Sequence, residues 1–290
     1  MNEQVCKADM GGGGVAGVDT CGYPVETTGN TVLDILECRS STRAFARDDN
    51  DRPVAVTDEQ RAAILHAASR APSAGAMMMY SIISIREQAT LDRLADLCDH
   101  QPMIAKAPWA LIFVVDYAKW IDLFEHVGCF EPEFVERTGK APRRAPGLGD
   151  FAIAAQDAVI AAQNAVVAAE ALGLGSCYIG DVVENAEEVA ELLDLPPYTI
   201  PLSMLIIGTP RKERPAIAHP VVNLVHEEHY RRADDATMDA QVAEMDAMFR
   251  PHAREVGERV VDIYTRKHTS PFMAEMSRSM EWWFKNWLGR

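Results

Sequence analysis

The sequence lacks the short motifs that identify many hydrolases, dinucleotide-binding proteins and metalloenzymes. No Gly-x-Ser-x-Gly stretch is present, and no Gly-x-Gly-x-x-Gly stretch follows a predicted strand. The six cysteines include no Cys-x-x-Cys pair, and their scatter predicts reduced, mostly buried thiols. His226 and His229 lie three residues apart without the His-Glu-x-x-His order, so no metal site is predicted. No catalytic side chain is therefore predicted from motifs.

Positive charge is also scarce. The chain has 28 Lys and Arg against 43 Asp and Glu, a formal net charge of −15. This balance argues against a nucleic-acid partner, because phosphate backbones require clustered cations. The N-terminus has no positively charged segment leading into an apolar run, so no secretory signal is expected and a cytoplasmic protein is predicted. Residues 11–17 (GGGGVAG) are followed by no Gly-Lys-Ser/Thr, and residues 1–29 are predicted to be a flexible leader.

What the sequence does contain is an alternation of helices and strands in a chain of 290 residues that is 48% hydrophobic, enough for one sizeable core. Strands are predicted over residues 80–85, 109–115, 201–208 and 221–225. Helices are predicted over residues 31–39, 57–70, 89–98, 151–172, 185–196, 227–250, 256–266 and 271–288. Residues 117–149 are predicted to form an irregular cap. Strands separated by helices indicate an α+β or α/β layered domain.

The helix predicted over residues 151–172 is rich in alanine and apolar nearly all round. It is long enough to cross a membrane, but Gln156, Asp157, Gln163, Asn164 and Glu170 interrupt it, and polar groups are costly in lipid. We therefore predict a core helix that is buried on most faces and does not contact a membrane.

Three segments carry groups that suit one kind of ligand. RSSTRAF (residues 39–45) offers two guanidinium groups and two serine hydroxyls within five residues, a donor set for a phosphate dianion. APSAG (residues 71–75) forms a turn after a helix, where backbone amides could meet a flat ring. GLGSCYIG (residues 173–180) follows the long helix and needs glycine for its turn.

In this order the three segments resemble the FMN-dependent nitroreductase family, over about residues 31–230. The resemblance implies an α+β fold with a central mixed β-sheet flanked by helices, in an intertwined homodimer with flavin sites at the interface. It implies an FMN-binding domain over residues 30–230. The tryptophan-rich tail resembles a subgroup with a long C-terminal arm, which implies that residues 231–290 pack on the partner subunit.

The resemblance also implies roles for particular residues. Arg39 and Ser41 would hold the FMN phosphate, Arg43 would approach the N1/O2 edge of the ring, and the N–H of Ile179 or Gly180 would donate to N5. The predicted cofactor-binding residues are Arg39, Ser40, Ser41, Arg43, Pro72, Ser73, Ala74, Ala76, Met78, Tyr178, Ile179, Gly180 and Arg214.

Two positions depart from the family pattern. Ala76 stands where the family usually carries an asparagine that bonds the flavin, and Ala218 stands where it usually carries a phosphate-binding arginine. Arg211, Lys212 and Arg214 are the nearby cations that could replace the arginine. The methionines of residues 77–79 pack either on a ring face or, more commonly for such residues, in the core.

The activity implied by the resemblance is a ping-pong reduction in which NAD(P)H reduces FMN and a nitroaromatic or quinone-like acceptor reoxidises it. Solvent supplies the protons, so no side chain acts as acid or base. Phe124, Phe130 and Phe134 either stack on a flat acceptor or pack in the core. Two alternatives stay open: a different flavin-dependent reaction, such as dehalogenation or dehydrogenation, and a degenerate, non-catalytic ligand-binding member, to which the two departures point.

Overall fold

The fold is that of a computed structural model, which describes residues 29–140, 143–212, 221–248 and 255–289, together with two short strands near the N-terminus. The strands are β1 (Gly17–Val18), β2 (Pro24–Val25), β3 (Tyr80–Ile85), β4 (Trp109–Asp116), β5 (Gly175–Ile179) and β6 (Thr199–Gly208). The helices are α1 (Thr31–Cys38), α2 (Asp58–Ser69), α3 (Gln88–Leu97), α4 (Pro102–Ala105), α5 (Ala118–His126), α6 (Pro132–Thr138), α7 (Leu148–Ala171), α8 (Ala186–Leu192), α9 (Asp235–Met248), α10 (Glu258–Ile263) and α11 (Pro271–Trp287). Apart from β1 and β2, the predicted leader lies outside the described residues, as do Arg214 and Ala218.

The chain divides into two compact units. The larger unit comprises Ser41–Lys212 with Glu275–Arg290, and the smaller comprises Met1–Ser40 with Glu213–Ala274. The division differs from the predicted domains of residues 30–230 and 231–290, because the last part of the chain belongs to the larger unit.

The larger unit contains a four-stranded sheet in the order β3-β4-β6-β5. All three neighbouring pairs are antiparallel, so the expected mixed sheet is an antiparallel one within this chain. Every residue of β4 is buried, as expected for a central strand whose sequence is an unbroken apolar run. The strands predicted over residues 80–85, 109–115 and 201–208 are thus confirmed.

α7 is the principal support of this sheet and contacts all four of its strands. Its buried residues are mainly alanines, whose small side chains allow the helix to approach the sheet closely. The helix ends at Ala171, and Gly173 follows with φ of 72°, the left-handed conformation that glycine adopts most readily. α2 packs on α7 and begins with the predicted capping box, in which Thr57 and Gln60 exchange hydrogen bonds.

α7 is more exposed than the sequence predicted. Ile153, Val159 and Ile160 are 45%, 47% and 39% exposed, so the prediction of burial on most faces is wrong for this side of the helix. By length and composition α7 could cross a membrane, although 39% of its apolar window is buried in the protein. Buried core helices pass the same test.

The end of α11 packs on its own chain. Trp283 and Trp287 are fully buried, and their indole N–H groups donate to the carbonyls of Val183 (2.9 Å) and Gly147 (3.0 Å). Phe151 of α7 stacks edge-on against Trp287, with 5.7 Å between ring centroids. These two tryptophans therefore pack within their own chain and not on a partner subunit. Packing on a partner stays a prediction for the rest of the arm.

Several predicted details differ in the structure. Residues 117–149 contain α5 and α6, where an irregular cap was expected. Residues 221–225 contain a turn in place of the predicted strand. In α1, only Ile35 is buried, whereas Val32, Leu33 and Leu36, which were expected to point inward, are exposed. Cys38 is disulfide-bonded, contrary to the expectation of reduced thiols, while Cys98, Cys129 and Cys177 are not in disulfides.

Candidate functional site

The segment over residues 41–46 runs between β5 and the end of β6. The N–H of Thr42 donates to the carbonyl of Ser176 in β5 at 2.8 Å, and the N–H of Ala46 donates to Thr209 at 2.8 Å. Ser41 is half-buried and Arg43 is exposed. The structure therefore attaches the second half of the predicted phosphate-binding motif to the strand that carries the third motif.

Close packing fixes this segment at Phe45. A Cβ atom added to Gly208 would lie 2.8 Å from the Phe45 ring and 2.6 Å from the Pro108 ring. Such distances are too short for carbon atoms, and neither ring can move aside easily. Gly208 is therefore required by the close approach of Phe45 and Pro108 to β6.

Arg39 and Ser40 belong to the smaller unit, at the end of α1. Arg39 caps α1 by donating its backbone N–H to the carbonyl of Ile35 at 3.0 Å. Its side-chain Nε is buried and, within the described part of the chain, has no hydrogen-bond partner; the same is true of Thr42 Oγ1. Ser40 is buried. Two polar side-chain atoms of the RSSTRAF run are thus buried without partners.

The loop over residues 73–79 is held by Asp157, a carboxylate that is only 2% exposed in the middle of α7. One oxygen of Asp157 accepts from Ser73 Oγ (2.7 Å) and from the N–H of Met79 (3.3 Å), and the other accepts from the N–H of Ala74 (3.0 Å). Ser73 Oγ in turn accepts from the N–H of Met78 (2.6 Å). One buried side chain therefore anchors both ends of the loop.

The loop has an unusual backbone. Gly75, Ala76 and Met78 all adopt positive φ values, of 57°, 55° and 49°. Residues with a Cβ occupy this region at a cost, whereas glycine and asparagine tolerate it better. The usual family asparagine at position 76 would suit this backbone better than the alanine present here.

Several backbone amides of this loop already donate hydrogen bonds within the protein. The amides of Ala74 and Met78 donate to side chains, and those of Ala76 and Met77 donate to the carbonyls of Ser73 (3.2 Å) and Ala74 (3.1 Å). Within the turn predicted over residues 71–75, the amide of Ala74 is therefore already bonded to Asp157. The exposed surface here consists of Pro72, Ala74, Gly75, Ala76 and Met78.

α5 and the end of β4 hold the loop from a second direction. Trp120 donates its indole N–H to the carbonyl of Met77 at 2.9 Å, and the N–H of Asp116 donates to Met79 at 3.1 Å. Lys119 donates to the carbonyl of Tyr80, and burial lowers the pKa of Lys119 even though Asp116 and Asp157 act in the opposite direction. These contacts join residues that are far apart in the sequence, so local patterns do not predict them.

The end of β5 presents a small open surface. The Tyr178 side chain is exposed, and its hydroxyl lies 3.4 Å from Gln163 of α7. Ile179 is buried, Gly180 is exposed, and a Cβ at Gly180 would meet no atom within 4 Å. The loop over residues 73–79 and the end of β5 are therefore both hydrogen-bonded to α7, through Asp157 and Gln163.

A cationic cleft of about 560 Å³ lies at the other end of the sheet. Its lining residues are Ala46, Arg47, Asp51, Lys106 and Arg211. Arg47 is paired with Asp51 at 3.2 Å. Gly175 of β5 pairs with Gly208, a few residues before Arg211, whereas Ile179 pairs with Met204. Arg211 thus lies towards the end of the sheet opposite to Gly180.

The sequence is similar to a known protein family and to enzymes of known activity. The sequence profile of the Nitroreductase family matches residues 36–209. The FMN reductase (NAD(P)H) of Bacillus subtilis is 33% identical over 215 residues, which cover 73% of this chain and 79% of that protein. The oxygen-insensitive NADPH nitroreductase of Salmonella typhimurium is 33% identical over 218 residues, covering 73% and 81% of the two chains.

A solved structure agrees with the sequence comparison. The NADPH:FMN oxidoreductase from Vibrio harveyi, complexed with NAD+, superimposes with a TM-score of 0.66 at 25% identity, covering 86% of this chain and 97% of that one. Both the profile and the relatives span more than half of this chain, and the profile includes all three of the segments described above. The chain belongs to the nitroreductase family.

Proposed function

We propose that this protein is an FMN-dependent NAD(P)H oxidoreductase that reduces small electron-poor aromatic acceptors, of the nitroaromatic or quinone class. The observation that carries the proposal is the 33% identity to an FMN reductase and to an NADPH nitroreductase over 73% of the chain. The absence of a hydrolytic or dinucleotide-binding motif from the sequence is consistent with chemistry supplied by a cofactor.

The chemistry of the RSSTRAF run supports an FMN phosphate. Arg39 supplies a guanidinium group, and Ser40 and Ser41 supply hydroxyls, which are donors that phosphate oxygens prefer. The Nε of Arg39 and the hydroxyl of Thr42 are buried without partners among the described residues. Arg214, which lies outside the described residues, is proposed as a further phosphate ligand.

The remaining site residues are assigned by the same resemblance. When bound, FMN supplies the two-electron chemistry that links NAD(P)H to an acceptor. Arg43 would hold the N1/O2 edge, where its positive charge stabilises negative charge on the reduced ring. The N–H of Ile179 or Gly180 would donate to N5, and Tyr178 would border the same surface. The loop residues Pro72, Ser73, Ala74, Ala76 and Met78 would support the ring.

We also propose a homodimer, supported by the exposed apolar side of α7. Ile153, Val159 and Ile160 are each more than a third exposed in the single chain, and a second copy would remove them from water. Light scattering should give twice the chain mass of 32.0 kDa, and Ile160→Glu should shift the protein towards monomer. A monomeric wild-type protein at micromolar concentration would contradict the proposal.

Anaerobic absorbance spectroscopy tests the activity. FMN-loaded protein should lose its visible flavin absorbance on addition of NADPH or NADH and regain it with a nitroaromatic or a quinone. Arg43→Gln should slow the reduction. Arg93→Gln is the matched control, because Arg93 is an exposed arginine already paired with Glu188. Reduction without reoxidation by these acceptors would favour dehalogenation or dehydrogenation, and a failure to bind FMN would favour the ligand-binding alternative.

Cytoplasmic localisation stays a proposal. The reduced thiols of Cys98, Cys129 and Cys177 are consistent with a reducing compartment, whereas the disulfide at Cys38 is not. Mass spectrometry of the thiols in protein taken rapidly from cells would show whether Cys38 is reduced there.

A further inference from the structure

The strongest candidate outside the predicted site residues is the buried Asp157. It lies on α7 among alanines that are fully buried, an environment in which a carboxyl group is retained only if its oxygens are satisfied. All three of its hydrogen-bond partners lie in the loop over residues 73–79: Ser73, Ala74 and Met79. The carboxylate therefore serves the loop and no other described element.

The conformation of the loop explains why it needs such an anchor. Ala76 and Met78 occupy the left-handed region at φ of 55° and 49°, which the surrounding structure must enforce, because a free chain would leave it. Asp157 holds the amides on either side of this stretch, at Ala74 and Met79, and orients Ser73 Oγ to accept from the N–H of Met78. Removing the carboxylate would release three bonds at once.

We propose that Asp157 is a positioning residue for the flavin: it holds the loop over residues 73–79 in the strained conformation that presents Ala74, Ala76 and Met78 to the ring. The inference rests on the proposed function. Asp157 need not touch FMN. Its contribution is to keep the loop in the binding conformation in nearly all molecules. Apparent affinity falls in proportion to that population.

Asp157→Asn is the informative change, because it keeps the size of the side chain. An amide has one acceptor oxygen, so its NH₂ group would face either the N–H of Ala74 or the donors of Ser73 and Met79. We expect at least a tenfold weaker affinity for FMN, measured by flavin fluorescence. Hydrogen exchange at the amides of Ala74, Met78 and Met79 should become faster in the same variant.

Asn164→Ala is the matched control. Asn164 lies two turns further along α7, and its side chain donates to the carbonyl of Ala67 in α2 at 3.0 Å. This variant should destabilise α7 packing without changing FMN affinity or exchange in the loop. If Asp157→Asn and Asn164→Ala weaken FMN binding equally, Asp157 has only a structural role and the proposal is wrong.

Ser73→Ala provides a second route if Asp157→Asn fails to fold. It removes the bond to Asp157 and the bond from Met78, and it should weaken FMN binding. In the double variant the two losses should not add, because both residues act through one network. Unchanged loop exchange in both single variants would overturn the proposal whether or not FMN binds. A wild-type protein that does not bind FMN would instead overturn the proposed function.

Discussion

Substitutions at Ala76 distinguish two effects of the missing asparagine: backbone strain in the protein and the loss of a hydrogen bond to the flavin. With φ of 55°, Ala76 occupies a region that costs an L-residue about 1–2 kcal/mol. Glycine removes most of this cost. It also increases the conformational entropy of the unfolded chain, which lowers the free energy of unfolding by about 0.4–1 kcal/mol. We therefore expect Ala76→Gly to raise the free energy of unfolding by up to about 1 kcal/mol. Ala76→Asn should raise it by a similar or smaller amount, because asparagine also tolerates this region.

Only the asparagine variant should change flavin affinity. A neutral hydrogen bond contributes about 0.5–1.5 kcal/mol net, which corresponds to roughly twofold to tenfold tighter binding. Fluorescence titration with FMN measures this change, and urea unfolding of the apoprotein measures the stability of each variant. If Ala76→Asn binds FMN no more tightly than Ala76→Gly, the missing amide does not limit affinity. If neither variant is stabilised, the reading of strain at this position is wrong.

Three further predictions concern stability. Trp283→Ala should lower the free energy of unfolding by about 3–5 kcal/mol, because it empties a fully buried site and leaves the Val183 carbonyl without its donor. Gly208→Ala should cost about 1–3 kcal/mol, since its Cβ would clash with the rings of Pro108 and Phe45. Asp150→Asn should cost about 1–2 kcal/mol at neutral pH. Hydrogen bonds from Arg144 hold the pKa of Asp150 below its usual value, so this difference should vanish as pH falls through the folded-state pKa.

Urea unfolding, followed by circular dichroism, measures all three, and each has its own control. Trp282→Ala, at the half-buried neighbour of Trp283, should cost much less, and equal losses would contradict the account of α11. Gly149→Ala introduces a Cβ that meets no atom within 4 Å, and it should not destabilise. A difference between wild type and Asp150→Asn that persists unchanged at pH 3 would refute the assigned ion pair.

Three of the four strands of the main sheet and the longest helices were predictable because their signals are local, whereas β5 was not among the predicted strands. β4 is an unbroken apolar run and is buried throughout, and the capping box of Thr57 and Gln60 fixes the start of α2 from four consecutive residues. α5 and α6 were missed because they are short, at nine and seven residues, and because Gly128, Pro132 and Gly139 at their ends are typical of irregular segments. The strand expected over residues 221–225 rested on apolar residues alone, and strand formation also requires a neighbouring strand.

The candidate site was inferred from the family motifs, and the roles of Ser41, Ile179 and Gly180 stay predictions. The anchoring of the loop by Asp157 was not predicted, because it joins residues 84 positions apart. Hydrophobic periodicity and secondary-structure propensity are local signals, and they do not predict contacts between residues so far apart in the sequence. The hydrogen bonds of the loop amides were also not predicted, because they depend on positive φ angles that an alanine at position 76 does not favour.

The most direct test of the account is a titration of the purified protein with FMN, followed by gel filtration. The account predicts that the visible flavin absorbance co-elutes with the protein, that FMN raises the unfolding temperature, and that NADPH or NADH then removes the absorbance under anaerobic conditions. A protein that elutes without colour and shows no change in unfolding temperature at excess FMN would contradict the proposed function.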